Sequence, residues 1–287
     1  MAELLVHRDV RSFDGTTLAA YASPKANDAT SAVLLIGPPG SPPLAWRHQI
    51  SYFAPRFRVV TWDLRGLGRS QKPSDPRAFS VSDHAHDATA VLQSIGATQC
   101  AVVAWGEGAE IGLDLVLRAN AAVSHVVLLG GRYGGRFAKA LGIDHFGGLV
   151  PFALRAAAPT LDRLARSSLA PAVARRFGLA APTLDDDLFT EIASRRAELD
   201  PEALAAVTRG LAHHGDAPSP ETLAQPVLIV APTRDALSPL LAARRLSRRL
   251  PLGELFVLEG ATSWAPLEFP DLLNLRIEKF LDRNGFA

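Results

Sequence analysis

Cysteine is almost absent from this sequence of 287 residues, which contains only Cys100. A single cysteine excludes an internal disulfide framework and any metal site built from clustered cysteines. An excess of charge is absent too, since 30 lysines and arginines balance 29 acidic residues to leave a formal net charge of +1. The composition therefore gives no indication of nucleic acid or a membrane surface as a partner, and we expect no metal and no cofactor.

Long apolar segments are also missing, because no run approaches the ~20 residues that a transmembrane helix needs. The first ten residues, MAELLVHRDV, carry charges and lack the long apolar core of a signal peptide. These two observations predict a cytoplasmic protein. Apolar residues nevertheless make up 48% of the chain, which is enough for a substantial core. The length fits one large α/β domain, or a core with an inserted subdomain.

Short apolar runs alternate with helical patterns along most of the chain. Strands are predicted at 7–13, 16–23, 31–37, 57–63, 100–105, 123–130, 226–233 and 254–260, and helices at 43–53, 81–95, 107–119, 239–250 and 269–284. Continuous apolar strands separated by helices predict a mostly parallel sheet that helices cover on both faces. Asp14-Gly15 between the first two strands is typical of a hairpin, which supplies antiparallel edge strands.

One long stretch breaks this alternation. Residues 131–215 contain no convincing strand pattern and consist of amphipathic segments rich in alanine, leucine and arginine. The predicted organisation is therefore a core formed by 1–130 and 216–287, with a helical cap at 131–215 between two core strands. We interpret the acidic run at 185–187 as a helix N-terminus rather than a metal site, because carboxylates stabilise that end of a helix.

Five motifs occur in one order along the chain. They are LLIGPPG at 34–40, DLRGLGRS at 63–70, AWGEG at 104–108, APTRDALSP at 231–239 and EGATSWAPLEFPDLLN at 259–274. In this order and spacing the motifs resemble those of the α/β-hydrolase superfamily of the helical-cap type, and the resemblance runs nearly from end to end. It implies an α/β-hydrolase fold, in which a serine on a sharp strand–turn–helix elbow, a histidine and an acid form the catalytic triad.

The resemblance implies a role for three positions, two of which lack the expected side chain. Asp235 stands at the position of the triad acid, whereas Gly106 occupies the nucleophile position and Ser263 the histidine position. The reaction needs a serine oxygen that a histidine deprotonates, and a hydroxyl cannot act as a base near pH 7. Loss of nucleophile or base costs about 10⁶-fold in rate in one serine protease, so we expect no ordinary ester hydrolysis.

The oxyanion loop is altered at the corresponding positions. The resemblance assigns it to Gly37 and Pro38, with a second donor from Glu107. Proline has no N–H to donate, and the Glu107 carboxylate would repel a developing oxyanion even though its backbone N–H remains. Glycine at position 106 tolerates elbow dihedrals that cost other residues about 1–3 kcal/mol, so this turn is interpreted as one that serves folding.

A histidine that could replace the missing base is not evident. His84 and His86 begin the helix predicted at 81–95, and we expect them near its solvent-facing start. His145, His213 and His214 fall within the predicted cap or at its return to the core, and from there they could overlook the pocket. Asp235 also has a structural interpretation, because it precedes a Ser-Pro pair that is typical of a helix start.

Three hypotheses of function remain open. The first is a non-hydrolytic protein that binds a small apolar ligand or a protein partner between core and cap, with Trp105, Phe137, Phe146 and Phe152 as ligand-binding candidates and Phe189 as a further cap aromatic. The second is a lyase, cyclase or isomerase that uses Glu107 or Asp235 as a general base. The third is a carboxylic-ester-type hydrolase whose nucleophile has moved, for example to Ser41 or Ser263.

Overall fold

An eight-stranded sheet in the order β1-β2-β4-β3-β5-β6-β7-β8 forms the centre of the protein. The computed structural model describes residues 5–24, 30–118, 122–130, 167, 169–176, 178–212, 220–235 and 240–286. The strands are β1 (Val6–Arg11), β2 (Thr17–Ala22), β3 (Ser31–Ile36), β4 (Arg58–Trp62), β5 (Gln99–Trp105), β6 (Val123–Leu129), β7 (Val227–Pro232) and β8 (Gly253–Leu258). Strands β3 to β8 pair in parallel, and β2 pairs antiparallel with β1 and β4. The predicted α/β-hydrolase fold class is confirmed.

Helices cover both faces of the sheet, as the apolar strands predict. They are α1 (Arg47–Phe53), α2 (Val81–Ser94), α3 (Gly108–Leu117), α4 (Ala170–Arg176), α5 (Asp186–Ala197), α6 (Pro201–Ala212), α7 (Leu240–Arg249), α8 (Ala265–Glu268) and α9 (Pro270–Arg283). Because successive strand side chains point to opposite faces, Leu34 and Val102 join the core under α2, α3 and α7, whereas Leu35 and Val103 join the core under α1 and α9. Each central strand is therefore buried on both sides.

One predicted helix is divided where the backbone changes its geometry, and another is preceded by a short helix that was not predicted. The segment predicted at 43–53 begins as a 3₁₀ turn, Pro43–Trp46, and continues as α1. The segment before α9 contains the short helix α8, and the two are separated at Phe269, whose φ is −135°. Helix α2 begins as its sequence indicates, because Ser80 and Asp83 form a reciprocal capping box.

The residues described between β6 and β7 include the helices α4, α5 and α6 and a 3₁₀ turn, Pro220–Thr222, and none of them belongs to a strand. The acidic run at 185–187 lies at the start of α5, where the Asp185 side chain accepts a hydrogen bond from the Leu188 N–H at 3.0 Å. The division into core and cap domains stays a prediction. None of the helices in the described ranges combines the length and hydropathy needed to cross a membrane.

The segment after β4 forms a buried ionic cluster centred on Arg65, which has no exposed side-chain surface. Its guanidinium donates to both carboxylate oxygens of Asp87, at 2.7 and 2.6 Å, and to Asp14 at 2.9 Å. Ser12 donates to Asp87 at 2.5 Å. We call Ser12, Asp14, Arg65 and Asp87 the Arg65 cluster. Every charged group in it has a partner, which offsets the cost of burying charge.

His84 differs from its expected position at the solvent-facing start of α2, because it is fully buried. Its Nδ1 lies 3.9 Å from an Asp87 carboxylate oxygen, and neither ring nitrogen has a hydrogen-bond partner in the described part of the chain. Burial, with a further contribution from the Arg65 charge, lowers the pKa of His84 to about 3. The expectation failed because His84 falls on the face of α2 that also carries Val81, Ala85 and Ala88.

Candidate functional site

A cavity of about 400 Å³ lies over the carboxyl ends of the central strands. The described residues that line it are Pro38, Gly40, Ser41, Trp105, Gly106, Glu107, Leu129, Gly130, Leu179, Ile192, Arg196, Pro232, Asp235, Ser263, Trp264 and Ala265. Parallel strands end at the same edge of a sheet, and ligands of α/β folds bind outside that edge. The structure therefore brings Pro38, Trp105, Gly106, Glu107, Asp235 and Ser263 to one cavity. Gly37 directly precedes Pro38 in the chain and follows the end of β3.

The turn between β5 and α3 has the geometry of an elbow. Gly106 adopts a φ of +59°, in the left-handed region that glycine favours, and its N–H donates to the Leu129 carbonyl at 3.0 Å. A Cβ added at this position would meet nothing closer than the Pro38 Cβ at 3.5 Å. Space for a side chain therefore exists at the position that the resemblance assigns to the nucleophile, and the conformation of the backbone is what favours glycine.

Gly108, the second glycine of the elbow, is required for a different reason. A Cβ at this position would lie 2.5 Å from the Ile36 carbonyl oxygen and 2.8 Å from that of Gly37. The start of α3 therefore packs directly on the end of β3. This close approach places Glu107 at the floor of the cavity, beside the loop that contains Pro38.

Asp235 and Ser263 form a direct pair in the lining of the cavity. The Ser263 hydroxyl donates to a carboxylate oxygen of Asp235 at 2.8 Å, and Asp235 is only 9% exposed. The loops that carry them are joined by backbone bonds, including one from the Arg234 N–H to the Ala261 carbonyl at 2.9 Å. Ser263 is also held by its carbonyl, which accepts from the Trp105 indole at 2.7 Å. A hydroxyl used as a donor to a carboxylate does not take up a proton.

The loop after β3 presents carbonyl groups as well as its proline ring. The Pro38 carbonyl accepts from the Ser41 N–H at 3.0 Å, and Pro38 itself has no N–H. Within the described ranges no hydrogen bond uses the Glu107 N–H, whose residue lines the cavity. The expected oxyanion positions therefore supply one backbone donor where the resemblance implies two.

Arg196 on α5 is a cavity residue that the sequence analysis missed. One of its terminal nitrogens donates to the Pro39 carbonyl, so the guanidinium lies over the loop after β3. Desolvation by the surrounding groups lowers the pKa of Arg196, whereas the Glu107 carboxylate raises it. A guanidinium nevertheless stays protonated in proteins. Arg196 follows Leu188 and Ile192 at helical spacing, and both of these residues are buried. This spacing was the signal in the sequence that could have identified Arg196.

Aromatic rings form much of the apolar wall. The ring centroid of Trp264 lies 5.8 Å from Trp105 and 5.0 Å from Phe189, and Trp46 packs behind Trp105 at 5.6 Å. Sequence reasoning named Trp105 and Phe189 but missed Trp264, which directly follows the Ser263 position. Three other predicted ligand-binding residues lie outside the described residues, namely Phe137, Phe146 and Phe152.

The cavity also bears on the alternative catalytic residues. The Ser41 hydroxyl oxygen is buried and has no hydrogen-bond partner in the described part of the chain, so no base contacts it there. No histidine is among the described residues that line the cavity, and His145, His213 and His214 lie outside the described residues. The described residues also contain no group of three or more histidine, cysteine, aspartate or glutamate side chains that could hold a metal ion.

Comparison with known families is consistent with the sheet, the elbow and the strand-end cavity. The family model described as alpha/beta hydrolase fold matches residues 32–270. The chain belongs to the α/β-hydrolase fold family. This assignment covers the fold and leaves the reaction open, because one fold hosts many functions.

Several curated relatives of this family member carry hydrolase names. The chain is 28% identical over 265 residues, 87% of its length and 92% of the relative, to "Putative carbamate hydrolase RutD" of Agrobacterium fabrum. It is 32% identical over 41% of its length to the protein of the same name in Caulobacter segnis, and that match spans 43% of the relative. Epoxide hydrolase B of Mycobacterium tuberculosis is 40% identical, over 37% of this chain and 30% of the relative.

Solved structures agree in fold along nearly the whole chain. The epoxide hydrolase VrEH1 from Vigna radiata superposes with a TM-score of 0.75 at 18% identity, covering 99% of both chains. E-2-(acetamidomethylene)succinate hydrolase superposes with a TM-score of 0.73 at 20% identity, covering 97% of this chain and 99% of that one. At such identities the likeness concerns the fold alone.

Proposed function

We propose that this α/β-hydrolase-fold protein is non-hydrolytic and binds a small apolar ligand in the cavity between the sheet edge and the cap helices. The observation that carries the proposal is the Ser263–Asp235 hydrogen bond of 2.8 Å, at the place where the fold would hold a histidine on its acid. Gly106 lies across the same cavity and supplies no nucleophile. The proton transfer that starts ester hydrolysis therefore lacks its donor, a serine hydroxyl at position 106, and its acceptor, a histidine ring at position 263.

The shape and lining of the cavity support a small molecule rather than a protein partner. Its volume of about 400 Å³ falls in the range of ligand pockets. Trp105, Leu129, Ile192 and Trp264 offer an apolar surface, and the charged side chains in the described lining are Glu107, Arg196 and Asp235. The hydrolase names of the relatives are a property of those proteins, and the proposal rests on the side chains of this chain.

A test of reactivity separates this proposal from a hydrolase with a relocated nucleophile. A fluorophosphonate probe labels only an activated serine, so we expect no labelling of the wild-type protein and no turnover of short p-nitrophenyl esters. The matched variants are Ser41→Ala, Ser263→Ala and Asp235→Ala. Turnover at ordinary enzyme rates that Asp235→Ala or either serine variant abolishes would contradict the proposal.

A test of binding uses the indole rings of the cavity wall. Because Trp105 and Trp264 line the cavity, a bound ligand should change the intrinsic fluorescence, and Trp264→Phe should reduce the change. Native mass spectrometry of the purified protein should show a co-purifying small molecule. Conversion of that molecule, lost in Glu107→Gln or Asp235→Asn, would instead favour a lyase, cyclase or isomerase with a carboxylate base.

A further inference from the structure

We propose that the ligand of this cavity carries a neutral polar head with an acceptor beside a donor, as in a carboxamide or a lactam. In this inference, which rests on the proposed function, Arg196 donates to the carbonyl oxygen of the head and Glu107 accepts from its N–H. The apolar body of the ligand then lies against the tryptophan wall. Arg196 and Glu107 become the residues that determine specificity for the head group.

The two charged side chains share the cavity without contacting each other. Both line it, yet no hydrogen bond or ion pair within 4.0 Å joins Arg196 to Glu107 in the described part of the chain. The guanidinium has only donors and the carboxylate has only acceptors. A ligand that offers both an acceptor and a donor can occupy the space between them and satisfy each side.

Arg196 is held in place from both its helix and the opposing loop. Leu188 and Ile192 are buried on the face of α5 that also carries Arg196. The Pro39 carbonyl accepts a hydrogen bond from one terminal nitrogen of Arg196. Gly40 makes room for this nitrogen, because an added Cβ would lie 2.9 Å from it. One nitrogen is thus used for positioning, and the remaining N–H groups of the planar fork can face a ligand.

The charges of the cavity disfavour ionised heads. A carboxylate would gain from Arg196 but would be repelled by Glu107 and by Asp235, which line the same cavity. An ammonium group would gain from the carboxylates but would be repelled by Arg196. A carboxamide avoids both repulsions and also the cost of moving a full charge out of water. Asp235 and Ser263 already bond to each other, which leaves the Arg196 side for the head.

The experiment compares four compounds that share one apolar ring. Cyclohexanecarboxamide has acceptor and donor, cyclohexyl methyl ketone has the acceptor alone, and cyclohexanecarboxylate and cyclohexylmethylamine are ionised at pH 7. None of them absorbs where tryptophan emits, so intrinsic fluorescence can measure Kd. Titration calorimetry gives a second, independent measurement of Kd. We expect the carboxamide to bind about tenfold more tightly than either ion and severalfold more tightly than the ketone.

Three variants connect the preference to the named side chains. Arg196→Gln should weaken carboxamide binding about tenfold, and Glu107→Gln should remove most of the discrimination against the carboxylate. Arg195→Gln is the matched control, because Arg195 is the adjacent arginine of α5, pairs with Glu191 at 2.7 Å and does not line this cavity. It should leave all four Kd values unchanged. Circular dichroism and thermal melts would verify that each variant is folded.

Each alternative result overturns the inference in a distinct way. Tightest binding of the carboxylate would make this an anion site, and tightest binding of the amine would make the carboxylates dominant. Equal binding of all four compounds would remove the head-group preference and leave the apolar cavity of the proposed function intact. If none of them binds, the inference fails, and the proposed function is judged separately by fluorophosphonate labelling and native mass spectrometry.

Discussion

The Arg65 cluster and the cavity over the strand ends are both polar, but their groups are satisfied in opposite ways. In the Arg65 cluster the guanidinium is fully buried and bonds to Asp87 and Asp14. In the cavity, Gly106 has no side chain and Pro38 has no N–H, while Arg196 and Glu107 face the same space without a mutual contact. The charged groups of the first region bond to one another, whereas Arg196 and Glu107 in the second only line a common cavity.

This difference separates what the fold needs from what a reaction would need. The Arg65 cluster ties the start of the chain and α2 to the segment after β4, so its residues hold the architecture together. The cavity contains both apolar residues that belong to the core, such as Trp105 and Leu129, and the charged residues Arg196 and Glu107, which form no ion pair with each other in the described part of the chain. Changes at the two regions should therefore have different consequences, and four experiments test this expectation.

The largest expected effect is a gain of reactivity on rebuilding the site. Gly106→Ser combined with Ser263→His should make the protein react with fluorophosphonate, because Ser263 already lies within hydrogen-bond distance of Asp235. Either substitution alone should fail, since serine lacks a base and histidine has nothing to activate. Adding Asp235→Ala should remove most of the labelling, and Pro38→Gly should increase it. A folded double variant that is never labelled would show that the assigned positions do not form a triad.

The next effect concerns stability in the Arg65 cluster. Asp87→Asn removes the buried carboxylate that pairs with a fully buried guanidinium and leaves Asp14 as its remaining charged partner, so we expect a cost toward the lower end of the range of about 3–5 kcal/mol for breaking a buried pair. Urea unfolding followed by circular dichroism should show this loss. The control is Asp75→Asn, which breaks the exposed Arg77–Asp75 pair and should leave the midpoint unchanged. Equal losses of stability for the two substitutions would contradict the expectation that the Arg65 cluster contributes more to stability than an exposed ion pair.

An acid-dependent effect should follow from His84 beside the same cluster. Its folded pKa of about 3 lies below the ordinary 6.5, so the unfolded state takes up the proton first. Stability should therefore fall as the pH drops below about 6.5, by about 1.4 kcal/mol per pH unit for one proton.

Comparison of two variants with the wild type isolates this contribution. His84→Phe should flatten the slope between pH 6 and pH 4, whereas His86→Gln should not, because His86 is exposed. The Asp63 and Asp87 carboxyls, whose pKa values burial raises, are present in all three proteins. Urea midpoints measured at several pH values give the slope, and an identical slope for wild type and His84→Phe would refute the assignment.

The smallest of the four effects is expected at the elbow. Gly106→Ser alone should cost about 1–3 kcal/mol and lower the melting temperature by a few degrees, because φ at this position is +59°. It should restore no hydrolysis. Gly106→Ala is the control, and it should cost the same, since strain rather than the hydroxyl is responsible. A melting temperature that does not fall would mean that the turn tolerates a side chain, contrary to its observed backbone.

Periodicity in the sequence was sufficient to predict every strand and most of the helices described here. The strands are short and apolar, and residues buried on both faces leave a pattern that only a covered parallel sheet explains. The boundaries were less predictable. Pro43 begins a 3₁₀ turn before α1, and Phe269 separates α8 from α9, because local backbone geometry at these points does not alter the apolar pattern.

Side-chain direction was harder to predict than position. His84 was expected at a solvent-facing helix start, although Val81, Ala85 and Ala88 place it on the buried face of α2. Arg196 was overlooked because the direction of its side chain, too, was not predicted. Its spacing from Ile192 indicates a shared face, but only the packing of α5 over the strand ends shows that this face borders the cavity.

The sequence by itself determined which functional groups are present and which are missing among the residues at the strand ends. Glycine at 106, proline at 38 and serine at 263 exclude particular donors and bases wherever these residues lie, because those limits belong to the covalent structure. Only the tertiary structure decided which groups meet. Ser263 reaches Asp235 across 28 residues and Trp105 across 158, and Arg196 joins Glu107 at one cavity from a separate helix. Hydrogen-bond reach is a property of positions in space, and those positions follow from the packing of parallel strands and helices that are distant in sequence.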